Sequence, residues 1–475
     1  MRKTAFLLTV ITLLLPACQN QQKDADPLRP NIVYILADDL GYGDLSSYGQ
    51  QLFSTPHIDK LAENGLKFTQ HYSGSTVCAP SRSSLLTGQH TGHTFIRGNK
   101  KSPPEGQYPL KAEIFTLAEA LQDTGYVTGA FGKWGLGPPG SEGDPNFQGF
   151  DQFFGYICQS LAHNYYPYHL WHNQEKIMLE GNEGFRTGQY APDLIHAEAL
   201  KFLDNNRDQP FFMYYPSPIP HAEMFAPEEY MEKHRGKYEP ENSYTGVDSG
   251  KNYRKGPYGS QPEAHAATAA MINLLDDQVG EIVERLKELG IYENTLIMFS
   301  SDNGPHKEGG ADPDYFNSNG IFKGYKRDLY EGGIRVPMIA SWEGKIEPGT
   351  TTDHPSAFWD LFPTLAALTG AELPLDIDGI SFVPTLLGQP DEQEKHVYLY
   401  WEFYERGGRK ALRKGDWKLV KYNITDPEKT TTELYNIAND QGETDNLARE
   451  YPEIVDELTG LMESARTDSE VFSFQ

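Results

Sequence analysis

Four short apolar runs recur along the chain, and each gives way abruptly to polar residues. Ile32 to Ala37 is almost continuously apolar and rich in β-branched residues, the pattern of a strand buried on both faces. Asp38 and Asp39 follow it. Leu296 to Phe299 repeats the design and is followed by Asp302, Asn303 and Gly304. Tyr126 to Phe131 leads to Lys133, and Phe211 to Tyr215 leads through a proline-rich loop to His221. Helical patterns lie between these strands. Thr116 and Glu119 have the spacing of a capping box ahead of Leu117 to Leu121, and Gly125 is placed to end that helix. Ala264 to Leu289 carries Leu274, Val279, Val283 and Leu286 at helical spacing, with Gly290 behind. The alternation predicts an α/β fold, a sheet covered by helices on both faces. Sites in such sheets form beyond the carboxyl ends of the strands. The Asp-Asp, Asp-Asn, Lys and His ends are therefore expected to meet.

The pattern changes at the polar stretch Gly388 to Glu394. Three short strand-like runs follow, "HVYLYWEF", "KALRKGDWKLVKYN" and "TTELYNI", and then a helical stretch from Pro452 to Ala465. This predicts a small antiparallel sheet with one helix. Ser243 to Ser260, rich in Gly, Ser and Tyr, reads as a surface loop at a substrate mouth.

Composition narrows the setting. Arg2 and Lys3 precede the apolar run Ala5 to Leu15, and Leu15-Pro16-Ala17-Cys18 follows. This is the layout of a signal peptide (residues 1–17) with a cysteine positioned for lipidation, then a tether over residues 18–28. The expected place is the periplasm or the outer membrane, with Cys18 as the only membrane attachment. Loss of residues 1–17 removes two positive charges and takes the net charge from −26 to −28. Such a surface repels phosphate backbones and argues against a nucleic-acid partner. Of three cysteines, Cys18 belongs to the processing site, which leaves Cys78 and Cys158 either to pair or to stay free.

Three carboxylates and an amide carbonyl, all hard oxygen donors, suit Ca²⁺ or Mg²⁺ and not Zn²⁺. In "CAPSRSSLLTG", Pro80 suits the first turn of a helix, so Cys78 sits at a helix N-terminus where an anion is favoured. Arg82 lies one turn further on. A thiolate nucleophile is one reading, and the residues together indicate an anion-handling metal hydrolase.

Cys78-Ala79-Pro80-Ser81-Arg82 with Thr87-Gly88 resembles the C-x-P-S-R-x4-T-G signature of the type I sulfatases, in the alkaline-phosphatase-like superfamily. Asp38-Asp39, Gly132-Lys133-Trp134, Pro220-His221, Asp302-Asn303-Gly304, Lys326 with Glu331-Gly332-Gly333, and Asp378-Gly379-Ile380-Ser381 match further blocks in the same order. The resemblance covers about residues 29 to 475. It implies a large central mixed sheet flanked by helices over residues 29–388 and a C-terminal α+β subdomain over 389–475. It also implies that a formylglycine-generating enzyme oxidises Cys78 to formylglycine, whose hydrated aldehyde attacks sulfur. One Ca²⁺ would be held by Asp38, Asp39, Asp302, Asn303 and the group derived from Cys78. Arg82, Lys133 and Lys326 would neutralise the sulfate, and His221 would assist the leaving alcohol. The implied activity is sulfuric ester hydrolysis. The expected substrate is a sulfated glycan, given the envelope location. The rivals are a phosphonate or phosphate ester hydrolase of the superfamily and an inactive glycan-binding lipoprotein.

One block departs from the family. Sulfatases usually read Gly-Lys-x-His-Leu-Gly, and Gly135 stands here in place of the histidine. Gln159 and His163, in "CQSLAHNYYP", are the candidates to fill the space, with His163 the better base and His93 and His306 next. Glu402, Arg409 and Arg413 are expected to border the sugar pocket. Tyr165, Tyr166, Trp171, Trp401 and Tyr404 are of the type that stacks on sugar faces.

Overall fold

The computed structural model of the protein describes residues 28–474. The expected signal peptide, Cys18 and the tether up to residue 27 lie outside the described residues. Eleven strands form one mixed sheet: β1 (Asn31–Ala37), β2 (Leu66–Tyr72), β3 (Val127–Lys133), β4 (Gln152–Tyr156), β5 (His169–His172), β6 (Glu175–Met178), β7 (Phe211–Pro216), β8 (Thr295–Ser301), β9 (Arg335–Ser341), β10 (Thr350–Thr352) and β11 (Ser356–Ala357). Their order is β10-β2-β9-β8-β1-β7-β3-β4-β5-β6, with β11 beside β2. The centre, β8-β1-β7-β3-β4, is parallel, whereas β9 runs antiparallel to β8 and β2, and β5 antiparallel to β4.

Alternation along the central strands divides the core into two layers. Val33, Ile35 and Ala37 face one layer with Phe211, Met213 and Tyr215, while Ile32, Tyr34 and Leu36 face the other with Phe212 and Tyr214. Helix Ala264–Glu288 covers the first layer through Met271, Leu275, Val279, Ile282 and Leu286. Helices Cys78–Thr87, Leu117–Asp123 and Leu361–Thr369 cover the second. Each fully buried Ile, Leu or Phe contributes about 1.5–3 kcal/mol of transfer free energy. A charge at Val33 or Met213 would therefore break this layering. The Thr116–Glu119 capping box forms as the spacing predicts.

The C-terminal run folds as the antiparallel sheet β12 (Leu399–Phe403), β13 (Arg409–Lys414), β14 (Trp417–Tyr422) and β15 (Thr431–Asn436), covered by helix Pro452–Ser464. It docks on the large sheet through buried polar contacts. Trp401 Nε1 donates to Ser73 O at 2.9 Å, and Arg413 Nη1 donates to the Tyr72 hydroxyl at 2.6 Å.

Candidate active site

Each central strand hands over its polar residues at the same edge. Asp38 and Asp39 follow β1, Asp302 and Asn303 follow β8, Lys133 ends β3, and His221 lies in the loop after β7. Backbone pairing enforces the meeting, because Asp38 N donates to Ile219 O at 3.0 Å and Asp302 N to Ala37 O at 3.0 Å. Asp39 adopts a left-handed conformation (φ 66°). Its amide then donates to Asp302 Oδ1 at 3.1 Å.

Helix Cys78–Thr87, buried along its whole length, brings Cys78 and Arg82 to this edge. Cys78 Sγ lies 3.4 Å from Asp38 Oδ1, 3.3 Å from Lys133 Nζ and 3.7 Å from Lys326 Nζ. Lys133 also bonds Asp38 Oδ2 (2.6 Å), and Lys326 bonds Asp39 Oδ2 (2.7 Å). Arg82 grips Asp302 Oδ2 through Nε and Nη2 at 3.1 and 2.8 Å. Three acids and three bases are thus packed around one sulfur with almost no solvent.

The cluster is made for a cation and for an anion. One ligand atom each from Asp38, Asp39, Cys78 and His221 lies within 4.8 Å of the others. Asn303 Oδ1 is buried with no donor among the described residues. His221 Nδ1 faces the Ala222 carbonyl at 2.5 Å, which can only accept, so Nδ1 carries the proton. Its Nε2 lone pair then faces Asp39 Oδ2 at 3.4 Å, acceptor against acceptor. Burial and the neighbouring Asp38 raise the Asp302 carboxyl to about 7, despite Arg82. An orphaned amide oxygen and crowded carboxylates fit a hard divalent cation. On the other side, Lys133 and Lys326 stay charged: burial opposes it, but Asp38 and Asp39 outweigh burial.

The thiolate reading is corrected by the same surroundings. Burial, reinforced by Asp38, pushes the Cys78 thiol far up even beside two lysines. Cys78 as encoded is a protonated thiol. Among the described residues Cys78 and Cys158 are free, so the alternative of a disulfide is also removed.

The space above Gly135 is filled. Gly135 has φ 82°, and a Cβ built there would lie 2.8 Å from Gln159 Nε2 and 2.9 Å from its Cγ. Gln159 is 4% exposed, and its Nε2 has no acceptor among the described residues. His163 is stacked on His221, with ring centroids 4.8 Å apart and planes 10° from parallel. Its Nδ1 lies 2.8 Å from Gly256 O. Burial, then Lys133, lowers its pKa to about 4. The expectation of a near-neutral His163 is therefore corrected: the imidazole is neutral at pH 7. His306 stacks on the other face of the group at 5.5 Å from His221, whereas His93 pairs with Asp378 at 2.9 Å outside the cluster.

Several other expectations are corrected by packing. Glu402 is a buried partner of Arg97 (3.0 Å) and Arg466 (2.7 Å), so it presents no free carboxylate to a sugar. Arg413 is spent on Tyr72 and Gln70. Arg409 is bonded to the carbonyl of Arg327, the residue after Lys326, and to Asp328 at 3.2 Å. Tyr165 and Trp401 are fully buried core residues and cannot stack on a ligand. Tyr404 packs against Phe472, and Trp171 bonds Glu105 at 2.8 Å.

Sequence reading missed Glu223 and Glu308. Glu223 accepts from Tyr165 N (3.1 Å), Asn164 Nδ2 (3.2 Å) and Gly259 N (2.8 Å), which ties the His163 loop to the 243–260 loop. Glu308 joins His306 (3.4 Å) to Arg327. Neither has a local signal, because every partner except His306 is remote or chosen by loop path.

Known proteins share this chain's sequence and fold. The sulfatase family profile matches residues 30–371, and the profile of the N-sulphoglucosamine sulphohydrolase C-terminal region matches 319–468. Human arylsulfatase A is 32% identical, over 91% of this chain and 87% of its own. N-acetylgalactosamine-6-O-sulfatase of Bacteroides thetaiotaomicron is 30% identical over 97% and 98%. Among solved structures, Ps i-CgsB in complex with k-i-k-neocarrahexaose superposes with a TM-score of 0.74 at 28% identity, covering 92% of each chain. The mixed sheet with its four-stranded C-terminal partner is the alkaline-phosphatase-like fold of these proteins. The chain belongs to the sulfatase family and is a sulfuric ester hydrolase.

Proposed function

We propose that this sulfatase removes sulfate from a sulfated carbohydrate, with Cys78 converted to formylglycine and one calcium ion bound beside it. The observation that carries the reading is the position of the Cys78 sulfur, within 3.7 Å of Lys133, Lys326 and Asp38 at the edge of an under-satisfied oxygen cluster. Asp38, Asp39, Asp302 and Asn303 are the residues to hold the ion, which would supply Lewis-acid polarisation of a sulfate oxygen. Formylglycine would supply an oxygen nucleophile that a buried, protonated thiol does not.

The chain's own side chains do the remaining work. Lys133 and Lys326, charged and fixed by Asp38 and Asp39, neutralise the sulfate where it meets the nucleophile. Arg82 holds Asp302 in place and shares that positive field. His221 is neutral with its Nε2 lone pair turned inward, so it accepts hydrogen bonds there, and the donor to the bridging oxygen as the alcohol departs is the charged Lys326 ammonium. Gln159 offers its unpaired Nε2 hydrogens above Gly135 and orients a bound oxygen, but an amide cannot take a proton. His163 is the base candidate in reach of His221.

Sugar specificity is supported by the relatives, which include an N-acetylgalactosamine-6-O-sulfatase and a protein crystallised with a neocarrahexaose. We further propose export, cleavage after Ala17 and lipidation of Cys18, and a formylglycine-generating enzyme as the maturation partner. The test is combined. Peptide mass spectrometry reads residue 78, metal analysis reads the ion, and defined sulfated mono- and disaccharides are screened beside phosphate and phosphonate esters. An unmodified thiol in fully active protein, or two bound zinc ions with faster phosphoester turnover, would overturn the reading in favour of the phosphohydrolase.

A further inference from the structure

The loop that carries Gln159 and His163 has a second face. Cys158, Ser160 and Leu161 line a cavity of about 450 Å³ together with Lys101, Arg254 and Lys255. That size suits a small ligand. In a chain with net charge −26, three cations converge on it. Glu105, the one acid of the lining, is already engaged by His169 Nε2 (2.9 Å), Trp171 Nε1 (2.8 Å) and Lys176 Nζ (3.4 Å).

Arg254 is a built element of this wall. It is 5% exposed and sits in a left-handed conformation (φ 53°), a strained backbone for a residue with a side chain. Nη1 is anchored on Asn182 O (2.9 Å) and Arg186 O (2.7 Å), and the guanidinium lies 4.9 Å from the centre of the Tyr253 ring. Among the described residues none of Arg254, Lys101 and Lys255 has a carboxylate partner. A fixed fork with no carboxylate partner is the geometry that receives a two-oxygen anion. The cavity wall is also in contact with the catalytic cluster through neighbouring residues. Gly256, next to Lys255, accepts the His163 ring at 2.8 Å, and His163 is stacked on His221.

We propose that this cavity is a second anion subsite, which seats a sulfate or carboxylate of the sugar adjoining the one desulfated. The inference rests on the glycan-sulfatase reading and specifies its substrate as a polyanionic glycan. Arg254 supplies the bidentate contact, and Lys101 and Lys255 supply the surrounding field. The anion would lie beyond His163, so the chain of sugars would cross the Gln159–His163 loop.

The test uses one sulfated sugar alone and joined to a neutral hexose, a uronic acid or a second sulfated sugar. Binding to the Cys78→Ala protein is measured by calorimetry, and kcat/KM is measured on the mature enzyme. The expected result is a preference of at least tenfold for a charged over a neutral neighbour. That ratio should collapse in Arg254→Gln and, independently, in Lys101→Ala/Lys255→Ala, which leaves the Arg254 anchors intact. The better of the uronate and second-sulfate arms identifies the anion. Equal affinity for charged and neutral neighbours, or a ratio that survives both variants, overturns the subsite. If Cys78→Ala binds the charged disaccharide selectively while the mature enzyme cleaves no sulfate ester, the functional reading fails and the subsite stands.

Discussion

Two buried charge clusters in this protein look alike on paper and differ in what they leave undone. At the seam between the two sheets, Glu331 meets Lys418 (2.8 Å), Arg335 (3.1 Å) and the Tyr72 hydroxyl (2.7 Å). Glu443 meets the same Lys418 at 3.0 Å and accepts the Glu331 amide at 2.6 Å. Both Glu331 oxygens and Glu443 Oε2 accept hydrogen bonds, Glu443 Oε1 keeps only its ion pair to Lys418, and the cluster fastens β14 to the segment before β9. In the catalytic cluster Asn303 Oδ1 has no donor, His221 Nε2 faces an acceptor, and a sulfur stands among the cations. Carboxylates each paired with a cation make a rivet, whereas an amide oxygen without a donor, a lone pair facing a carboxylate and a sulfur among cations make a site.

The comparison is tested first by removing the reacting group. Cys78→Ala should cut kcat by several orders of magnitude, as loss of a nucleophile does, with the melting temperature close to that of the parent. Asp38→Ala should lose activity together with the bound metal, read by metal analysis of the purified protein. A variant that kept both would erase the distinction between the clusters.

The rivet should respond in the opposite sense. Lys418→Met strands Glu331 and Glu443 without their shared cation, and breaking a buried pair costs about 3–5 kcal/mol. Denaturant unfolding should register that loss, while the protein that remains folded keeps its KM and its metal. If activity per folded molecule fell instead, the seam would be part of the site.

A finer cut lies inside the active site. His163→Ala should lower kcat by roughly a hundredfold, the scale for a general acid or base, and His172→Ala should do little. Gln159→Ala should raise KM more than it lowers kcat, because an amide can orient an oxygen but cannot accept its proton. If His163→Ala and His172→Ala gave equal, small effects, the base would have to be sought elsewhere.

The smallest effect is a pH dependence of stability. Lys418, Arg335 and Arg413 outweigh burial and lower Glu331 to about 2. A group depressed in the folded state contributes stability above its unfolded pKa of about 4.3 and loses it as pH falls toward 2. Melting temperature should therefore drop between about pH 5 and pH 2 in the parent. Glu331→Gln, less stable throughout, should show a shallower drop over that window.

Much of this was legible in the chain, because it depends on short-range order. Short apolar runs rich in β-branched residues, such as Ile32–Ala37, read as doubly buried strands, and residues placed just after parallel strands emerge at one edge of the sheet. Asp38, Asp39, Lys133 and Asp302 follow from that rule, and the signature around Cys78 fixes the family. Tertiary structure decided what spacing cannot encode. It sent Glu402 into ion pairs and Arg413 onto Tyr72 and Gln70, buried Tyr165 and Trp401 in the core, and lowered the His163 pKa by burial. It also placed Gln159 over Gly135 and Arg254 over the neighbouring cavity. Those outcomes depend on which loops touch across long separations in sequence, and on how much water each contact excludes.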